Sequence, residues 1–299
     1  MSLKIQENVP LGRLTSLHIG GPARYVISIT SVDEALEAIK FAHEKKLPFF
    51  VLGKGSNTLF PDSGYEGVIL LMSNRSISID GTRLTAGAGT FMRMLVNKAL
   101  ENNLRGLEEL AGIPGTVGGA VRGNAGTWDT DVKKVLVEAH VLKPEASGEY
   151  QLVTMPAIEC EFTYRHSIFK SHPDWIIMEA VFELKPGNGS DGQTLVAKDL
   201  EQRHTRQPYD APSAGSVFKN PDKANGIFSG KLVEAAGLKG KRVGGAEISP
   251  KHGNFIVNRG GATAADVLAL IALVQAEVKQ KFNVTLEPEI EIVGGLDKK

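Results

Sequence analysis

One cysteine in 299 residues leaves nothing to close an internal disulfide, so a disulfide-stapled scaffold is excluded. The seven histidines include no pair at metal-ligand spacing and no cysteine partner, which argues against a metal site. Charge of one sign is also missing. Thirty-four basic and thirty-four acidic residues cancel, and this removes nucleic acid and acidic membrane surfaces as generic partners. No run is long and apolar enough to span a bilayer, and Met1–Asn8 lacks a continuous apolar stretch. The expectation is a cytoplasmic protein, a monomer, whose ligands are small molecules. Cys160, between Glu159 and Glu161 in an alternating run, reads as an inert strand residue.

What is present is an ordinary globular composition, 42% hydrophobic and 23% charged, over a length sufficient for two domains with their own cores. Alternating or continuous apolar runs predict strands at Tyr25–Ile29, Pro48–Leu52, Val68–Leu71, Ser76–Asp80, Leu84–Ala86, Val135–Leu142, Gln151–Met155, Trp175–Leu184 and Thr285–Ile292. Ser31 and Glu34 form a capping box ahead of a helical repeat ending at Lys45 and Lys46. Thr90 is positioned to cap a helix through Leu95 and Leu100, and Thr263, with Asp266, to start the last one. The order is α+β. Pro186–Gln193, rich in glycine, has the composition of a linker, and Thr194–Arg206 reads as a polar helix after it.

Two glycine loops stand out. Gly53-Lys54-Gly55-Ser56-Asn57 follows a buried strand, as a phosphate cradle does: glycines let successive N–H groups converge on an anion, and Ser56 and Asn57 add side-chain donors. It is not a P-loop, because Gly55 follows Lys54, and the Gly87-x-Gly89 pair has Met92 where the dinucleotide fingerprint requires glycine. Gly112-Ile113-Pro114-Gly115-Thr116-Val117-Gly118-Gly119-Ala120 is richer still, and Asn124-Ala125-Gly126 follows. Tight turns holding a helix on a sheet explain one such loop as well as ligand binding does. Two in one domain favour a long ligand carrying a pyrophosphate.

The third polar concentration is Ser213-Ala214-Gly215-Ser216-Val217-Phe218-Lys219-Asn220-Pro221. Gly215 lets a ligand approach the backbone beside Ser216, and Lys219 and Asn220 add a cation and an amide before Pro221 ends pairing. Further along lie His252-x-Asn254-Phe255 and Leu286-Glu287-Pro288-Glu289. From spacing alone Glu287 and Glu289 are equivalent, both on one face of a strand.

Together with Ile19-Gly20-Gly21-Pro22-Ala23 and Tyr164-Arg165, these motifs resemble, in order and over nearly the whole chain, the UDP-N-acetylenolpyruvoylglucosamine reductases. The resemblance implies an FAD-binding domain of the vanillyl-alcohol-oxidase (PCMH) type over 20–186, after an N-terminal segment 1–19. It implies a smaller α+β substrate-binding domain over 187–299. FAD is expected to be non-covalent and held by Gly53, Lys54, Gly55, Ser56 and Asn57 together with Ile113, Pro114, Gly115, Thr116, Val117, Gly118 and Gly119. NADPH is the implied co-substrate.

The implied reaction reduces UDP-N-acetylglucosamine enolpyruvate to UDP-N-acetylmuramate for peptidoglycan, with hydride from the flavin to the enolpyruvyl methylene carbon. By the resemblance Ser216 is the proton donor, and Arg165 and Glu289 stabilise the enediolate. Only the resemblance selects Glu289 over Glu287. Tyr164, Lys219 and Asn220 are the implied substrate contacts. The chain departs from the family pattern at Thr127-Trp128-Asp129 and lacks the inserted capping fold of one subgroup, which places it with the shorter subgroup. Two other readings fit the residues: another flavin oxidoreductase on the same FAD domain, or a non-catalytic nucleotide-sugar binding protein. Flavin absorbance and substrate-dependent NADPH consumption separate them.

Overall fold

Three apolar-alternating segments, Leu136–Pro144, Tyr150–Pro156 and Ile176–Glu183, pair with Arg83–Gly87 and Ile77–Asp80 into a five-stranded antiparallel sheet. Its order is Tyr150–Pro156, Leu136–Pro144, Ile176–Glu183, Arg83–Gly87, Ile77–Asp80. Ile176–Glu183 is central, and Ile176, Ala180 and Phe182 on it are fully buried. Each such side chain contributes about 1.5–3 kcal/mol through burial when it is as large as Ile or Phe. The computed structural model describes residues 3–127 and 130–294. They fall into two units, the first made of Met1–Glu7, Tyr25–Lys54 and Glu66–Gln202, the second of Asn8–Arg24, Gly55–Tyr65 and Arg203–Lys299. Each unit has its own hydrophobic core.

The first unit also carries most of a four-stranded sheet, order Ile5–Pro10, Pro22–Ile29, Tyr65–Met72, Phe49–Leu52, in which Phe49–Leu52 runs parallel to Val68–Leu71. The helix Val32–Glu44, which lies between Pro22–Ile29 and Phe49–Leu52 in the chain, belongs to the first unit's core through Ala35, Ala38, Ile39 and Ala42. The Ser31 hydroxyl accepts from the Glu34 N–H, while the Glu34 carboxylate reaches one residue further back than in a standard box and takes the Thr30 N–H at 2.6 Å. At the last helix, Ala264–Phe282, both halves of the box form between Thr263 and Asp266.

Four local expectations are corrected. Thr90 does not cap Met92–Glu101; it is fully buried and its hydroxyl donates to the Ser76 carbonyl, so Phe91 occupies the cap position without a side-chain bond. Cys160 closes a 3-10 turn, Ala157–Cys160, because Pro156 ends the preceding strand. It is buried, and loss of hydration pushes its thiol up to about 11. Only Glu291–Ile292 of the expected C-terminal strand is regular, with one isolated bridge at Pro288, a residue that cannot donate to a ladder.

The fourth correction concerns the glycine-rich run after Pro186. Lys185 and Pro186 pair with Arg105 and Leu104, and the helix already begins at Gly189 and runs to Arg206. Asn188 accepts the Ser190 N–H, and the Gly187 N–H donates to the Asn103 carbonyl. A Cβ at Gly189 would fall on the Leu100 carbonyl, and one at Gly192 on the Leu100 side chain. These glycines permit close packing, and the segment is not a linker. Among the described residues no helix is long and apolar enough to cross a membrane, and no cluster of His, Cys, Asp or Glu could hold a metal ion.

Gly189→Ala is therefore expected to destabilise the protein by about 1–3 kcal/mol through overpacking, read as a lowered thermal midpoint. An unchanged midpoint would return this segment to linker status.

Candidate functional site

The two glycine loops meet. A Cβ on Gly53 would overlap the Thr116 hydroxyl, so the first loop lies directly on the second. The chain passes from the first unit to the second between Lys54 and Gly55. Gly55 is left-handed, φ +61, and packs on Leu14 and Thr15, and its carbonyl accepts from the Ser16 N–H at 3.1 Å. The Lys54 ammonium lies over the Phe91 ring at 5.5 Å. The Asn57 amide, expected to serve a ligand, donates to the Glu289 carbonyl at 3.0 Å, and the Asn57 carbonyl accepts from the Glu291 N–H at 2.8 Å.

In the second loop, the N–H groups of Ile113, Val117 and Gly118 donate to the carbonyls of Leu110, Thr90 and Ala88. Pro114 has no N–H. These positions thus shape the loop, and a Cβ at Gly118 would sit 2.9 Å from the Ala88 Cβ. Thr116 is buried, whereas Gly119 is exposed.

The helix that leaves this loop, Val117–Arg122, holds the Tyr164-Arg165 turn: the Ser167 hydroxyl, fully buried, donates to the Arg122 carbonyl at 2.6 Å. Thr163 and His166 exchange backbone hydrogen bonds around the pair, and the turn has its second central residue in the left-handed region. That residue is Arg165, φ +57, with its guanidinium donating to the Gly126 carbonyl at 2.9 Å and its own carbonyl accepting from Lys170. Tyr164 is exposed, its ring 5.2 Å from the Arg165 guanidinium. Asn124, buried and given no role by sequence, bonds the Thr163 carbonyl and the Lys133 N–H, tying the Gly126 loop to this turn. Of the departure at Thr127-Trp128-Asp129, Trp128 and Asp129 lie outside the described residues.

In the second unit, Ser213–Ser216 pairs with Phe255–Asn258, but three steps from Ser213 to Ser216 oppose two from Val257 to Phe255. The extra residue is a bulge, with Gly215 at φ +75 and open space around its missing Cβ. A bulge turns the strand and re-aims the next side chain, here Ser216, which is half-buried. Beyond it, the Val217 N–H donates to the Asn254 carbonyl, and the Asn254 carboxamide bonds both the N–H and the carbonyl of Phe218, each at 2.9 Å.

The same short segment receives the C-terminal acids. Glu289 N–H donates to the Val217 carbonyl at 2.7 Å, and Lys219 N–H to the Glu287 carbonyl at 2.9 Å. Glu287 and Glu289, equivalent by spacing, are thereby distinguished: the Glu287 side chain is 69% exposed and ion-paired with Lys219, while Glu289 is half-buried beside Ser216's strand. The alternation fails because the segment is not a regular strand here. The Asn220 Oδ1 accepts from the Ser229 N–H and hydroxyl, both at 3.1 Å, and so anchors the start of helix Ser229–Ala235.

Below this, Glu247, 5% exposed, joins Arg259 at 2.7 Å and Arg242 at 2.9 Å, and Arg259 reaches on to Asp210 just ahead of the serine strand. Burial works to raise the Glu247 carboxyl, but the hydrogen bonds and charges of Arg259 and Arg242 outweigh it and hold it below its usual 4.5.

Comparison with known proteins gives two family matches: an FAD binding domain over residues 23–151, and the UDP-N-acetylenolpyruvoylglucosamine reductase C-terminal domain over 207–293. A UDP-N-acetylenolpyruvoylglucosamine reductase of Caldanaerobacter subterraneus is 41% identical, covering 97% of this chain and 94% of its own. One from Carboxydothermus hydrogenoformans is also 41% identical over 98% of this chain and 95% of its own. The crystal structure of UDP-N-acetylenolpyruvylglucosamine reductase from Thermus caldophilus superposes with a TM-score of 0.80 at 34% identity, covering 98% of this chain and 99% of that one.

A carboxyl depressed in the fold contributes stability that is present above its unfolded pKa and lost as pH falls through its folded one. Glu247→Gln is thus expected to be less stable at neutral pH and to lose less on acidification below about 4.5. Denaturant titrations across pH check this; parallel profiles for the two proteins would contradict it.

Proposed function

The chain belongs to the UDP-N-acetylenolpyruvoylglucosamine reductase family, and from that premise we propose how its own residues carry the reaction. It is an FAD-dependent oxidoreductase that uses NADPH and serves peptidoglycan precursor synthesis, reducing UDP-N-acetylglucosamine enolpyruvate to UDP-N-acetylmuramate. We assign the cofactor to 20–186 and the substrate to 187–299; the matched regions 23–151 and 207–293 fall inside those bounds. The enzyme acts as a monomer in the cytoplasm, on dissolved nucleotides.

Gly53 lies against Thr116, which brings the two glycine loops together as one candidate cradle for a long phosphate-bearing cofactor. Because Ile113, Val117 and Gly118 spend their N–H groups within the protein, cofactor contact in the second loop falls to the amides of Gly115, Thr116 and Gly119. In the first it falls to Gly53–Asn57 backbone with Lys54 and Ser56. Neither loop offers a His or Cys for a covalent link. When bound, FAD supplies the two-electron chemistry between NADPH and the enolpyruvyl group.

As hydride is added to the methylene carbon, negative charge spreads from the adjacent carbon into the carboxylate. Arg165, always protonated and planar, presents a fork to that carboxylate. Glu289 is the second group that stabilises this charge, and it donates a hydrogen bond in the protonated form of its carboxyl. Ser216 Oγ–H then delivers the proton to the carbon, and water restores the hydroxyl. Tyr164 contacts the sugar nucleotide. Lys219 and Asn220 serve its diphosphate or lactyl region, Asn220 through its Nδ2, because its Oδ1 is taken by Ser229. The single observation that carries this reading is the 2.7 Å bond from the Glu289 N–H to the Val217 carbonyl, which unites two motifs seventy-odd residues apart beside Ser216.

Acid precipitation should leave the yellow colour in the supernatant; colour in the pellet would mean a covalent link. In Ser216→Ala, flavin reduction by NADPH should proceed at a near-normal rate while reoxidation by the enolpyruvyl substrate slows by roughly 10²–10⁴-fold. Rapid mixing separates the two steps, and slowed reduction with intact reoxidation would move Ser216 to the nicotinamide side.

A further inference from the structure

We propose that Asn254 is a positioning residue for proton delivery, holding Ser216 and, through Val217, Glu289 in working register; this rests on the assignment of Ser216 as proton donor. The bulge at Ala214-Gly215 that re-aims Ser216 has a structural cost. Regular pairing with Phe255–Asn258 stops at Ser216 opposite Phe255, and Val217 and Phe218 are buried with backbone groups to satisfy. Backbone alone does not meet the need, since the partner strand turns away: the Phe255 N–H bonds the His252 carbonyl, and the Asn254 N–H bonds His252 Nδ1 at 3.2 Å.

Asn254 bridges the gap. Its backbone carbonyl takes the Val217 N–H, its Oδ1 takes the Phe218 N–H, and its Nδ2 gives a hydrogen to the Phe218 carbonyl, all at 2.9 Å, with the residue 4% exposed. A carboxamide is the group that donates and accepts in one plane, so it substitutes for the missing strand. On its other edge the same segment carries Glu287–Glu289, through the bonds from Glu289 N–H to Val217 and from Lys219 N–H to Glu287 and the bridge of Phe218 with Pro288. Residues 217–219 are therefore a middle strand, one of whose neighbours is a side chain. Loosening Asn254 releases Ser216 and Glu289 together, while the second glycine loop, wholly in the first unit, keeps its own bonds to Leu110, Thr90 and Ala88.

The test exploits the difference between a carboxamide and a carboxyl. In Asn254→Asp the neutral acid can accept from the Phe218 N–H and donate to its carbonyl, as asparagine does; once ionised it only accepts and opposes the carbonyl. The charged or titratable groups facing this region are His252 on the same turn, with Glu234 and Lys239 acting on it, and Lys219, Glu287 and Glu289 across the segment. Wild type and variant share them all, so the difference between their profiles isolates position 254.

In holoenzyme, Asn254→Ala should lower the kcat of product formation by roughly 10²-fold, with KM little changed and flavin reduction by NADPH as in wild type. Asn254→Asp should recover product formation as pH falls, and hydrogen exchange at the Phe218 amide, measured without substrate, should slow over the same pH range. Parallel loss of both half-reactions, or a pH-independent defect in Asn254→Asp, would overturn the proposal and leave Asn254 a general stability residue. If Asn254→Ala fails to fold, Asn254→Asp alone decides by its pH profile. Ser216→Ala run alongside separates the premises: if it reoxidises normally the donor assignment falls, whereas a slow Ser216→Ala beside normal Asn254 variants removes only the positioning role.

Discussion

Phe218 is 2% exposed, and both its N–H and its carbonyl bond to the Asn254 carboxamide. Leaving that pair unmet would cost about 1–3 kcal/mol for each buried group, so the segment from Ser216 to Lys219 has little freedom to drift. Much of the second unit follows from this. The bulge at Gly215 can displace Ser216 from the sheet only because the chain is recaptured two residues later. The C-terminal acids find an edge to add to only because that edge is fixed. Ser229, which contacts the Phe218 carbonyl and Asn220, ties the next helix to the same point.

Elsewhere glycine is used for approach rather than for flexibility. Gly53 lets one loop rest on Thr116, and Gly189 and Gly192 let a helix settle on Leu100. A Cβ on Gly21 would strike the Asp62 carbonyl, and Asp62 itself accepts the Ala264 and Ala265 N–H groups at the start of the last helix. Motifs that look like ligand loops are thus partly the means by which the units close their own backbones. This is why several amides of the second glycine loop serve Thr90, Ala88 and Leu110, and fewer remain for a cofactor.

Sequence exposed the elements whose cause is local. Strands of the five-stranded sheet follow from alternation, and the Thr263–Asp266 box from two residues three apart. Motif order identified the family and its cofactor. What stayed hidden depends on partners distant in sequence. The glycines after Pro186 have linker composition, and only Leu100 explains them as packing residues. Glu287 and Glu289 are identical by period, and only Lys219 and Val217 separate them. Thr90 has capping chemistry, yet the Ser76 carbonyl captures its hydroxyl. Asn254 was visible as part of a motif; the one signal of its role is a polar residue directly ahead of the wholly buried Phe255–Val257.

Ser216 and Glu289 are joined through Val217, and in the proposed mechanism they act as one unit in the same protonation and charge-stabilising event. A double-mutant cycle tests that most directly, comparing the rate of product formation in Ser216→Ala, Glu289→Gln and the combined variant. Residues acting as a unit are strongly non-additive, so the double variant should be about as slow as the slower single one. If the two losses instead multiply, with flavin content and folding unchanged, Ser216 and Glu289 act independently and the shared register set at Phe218 is not what the chemistry depends on.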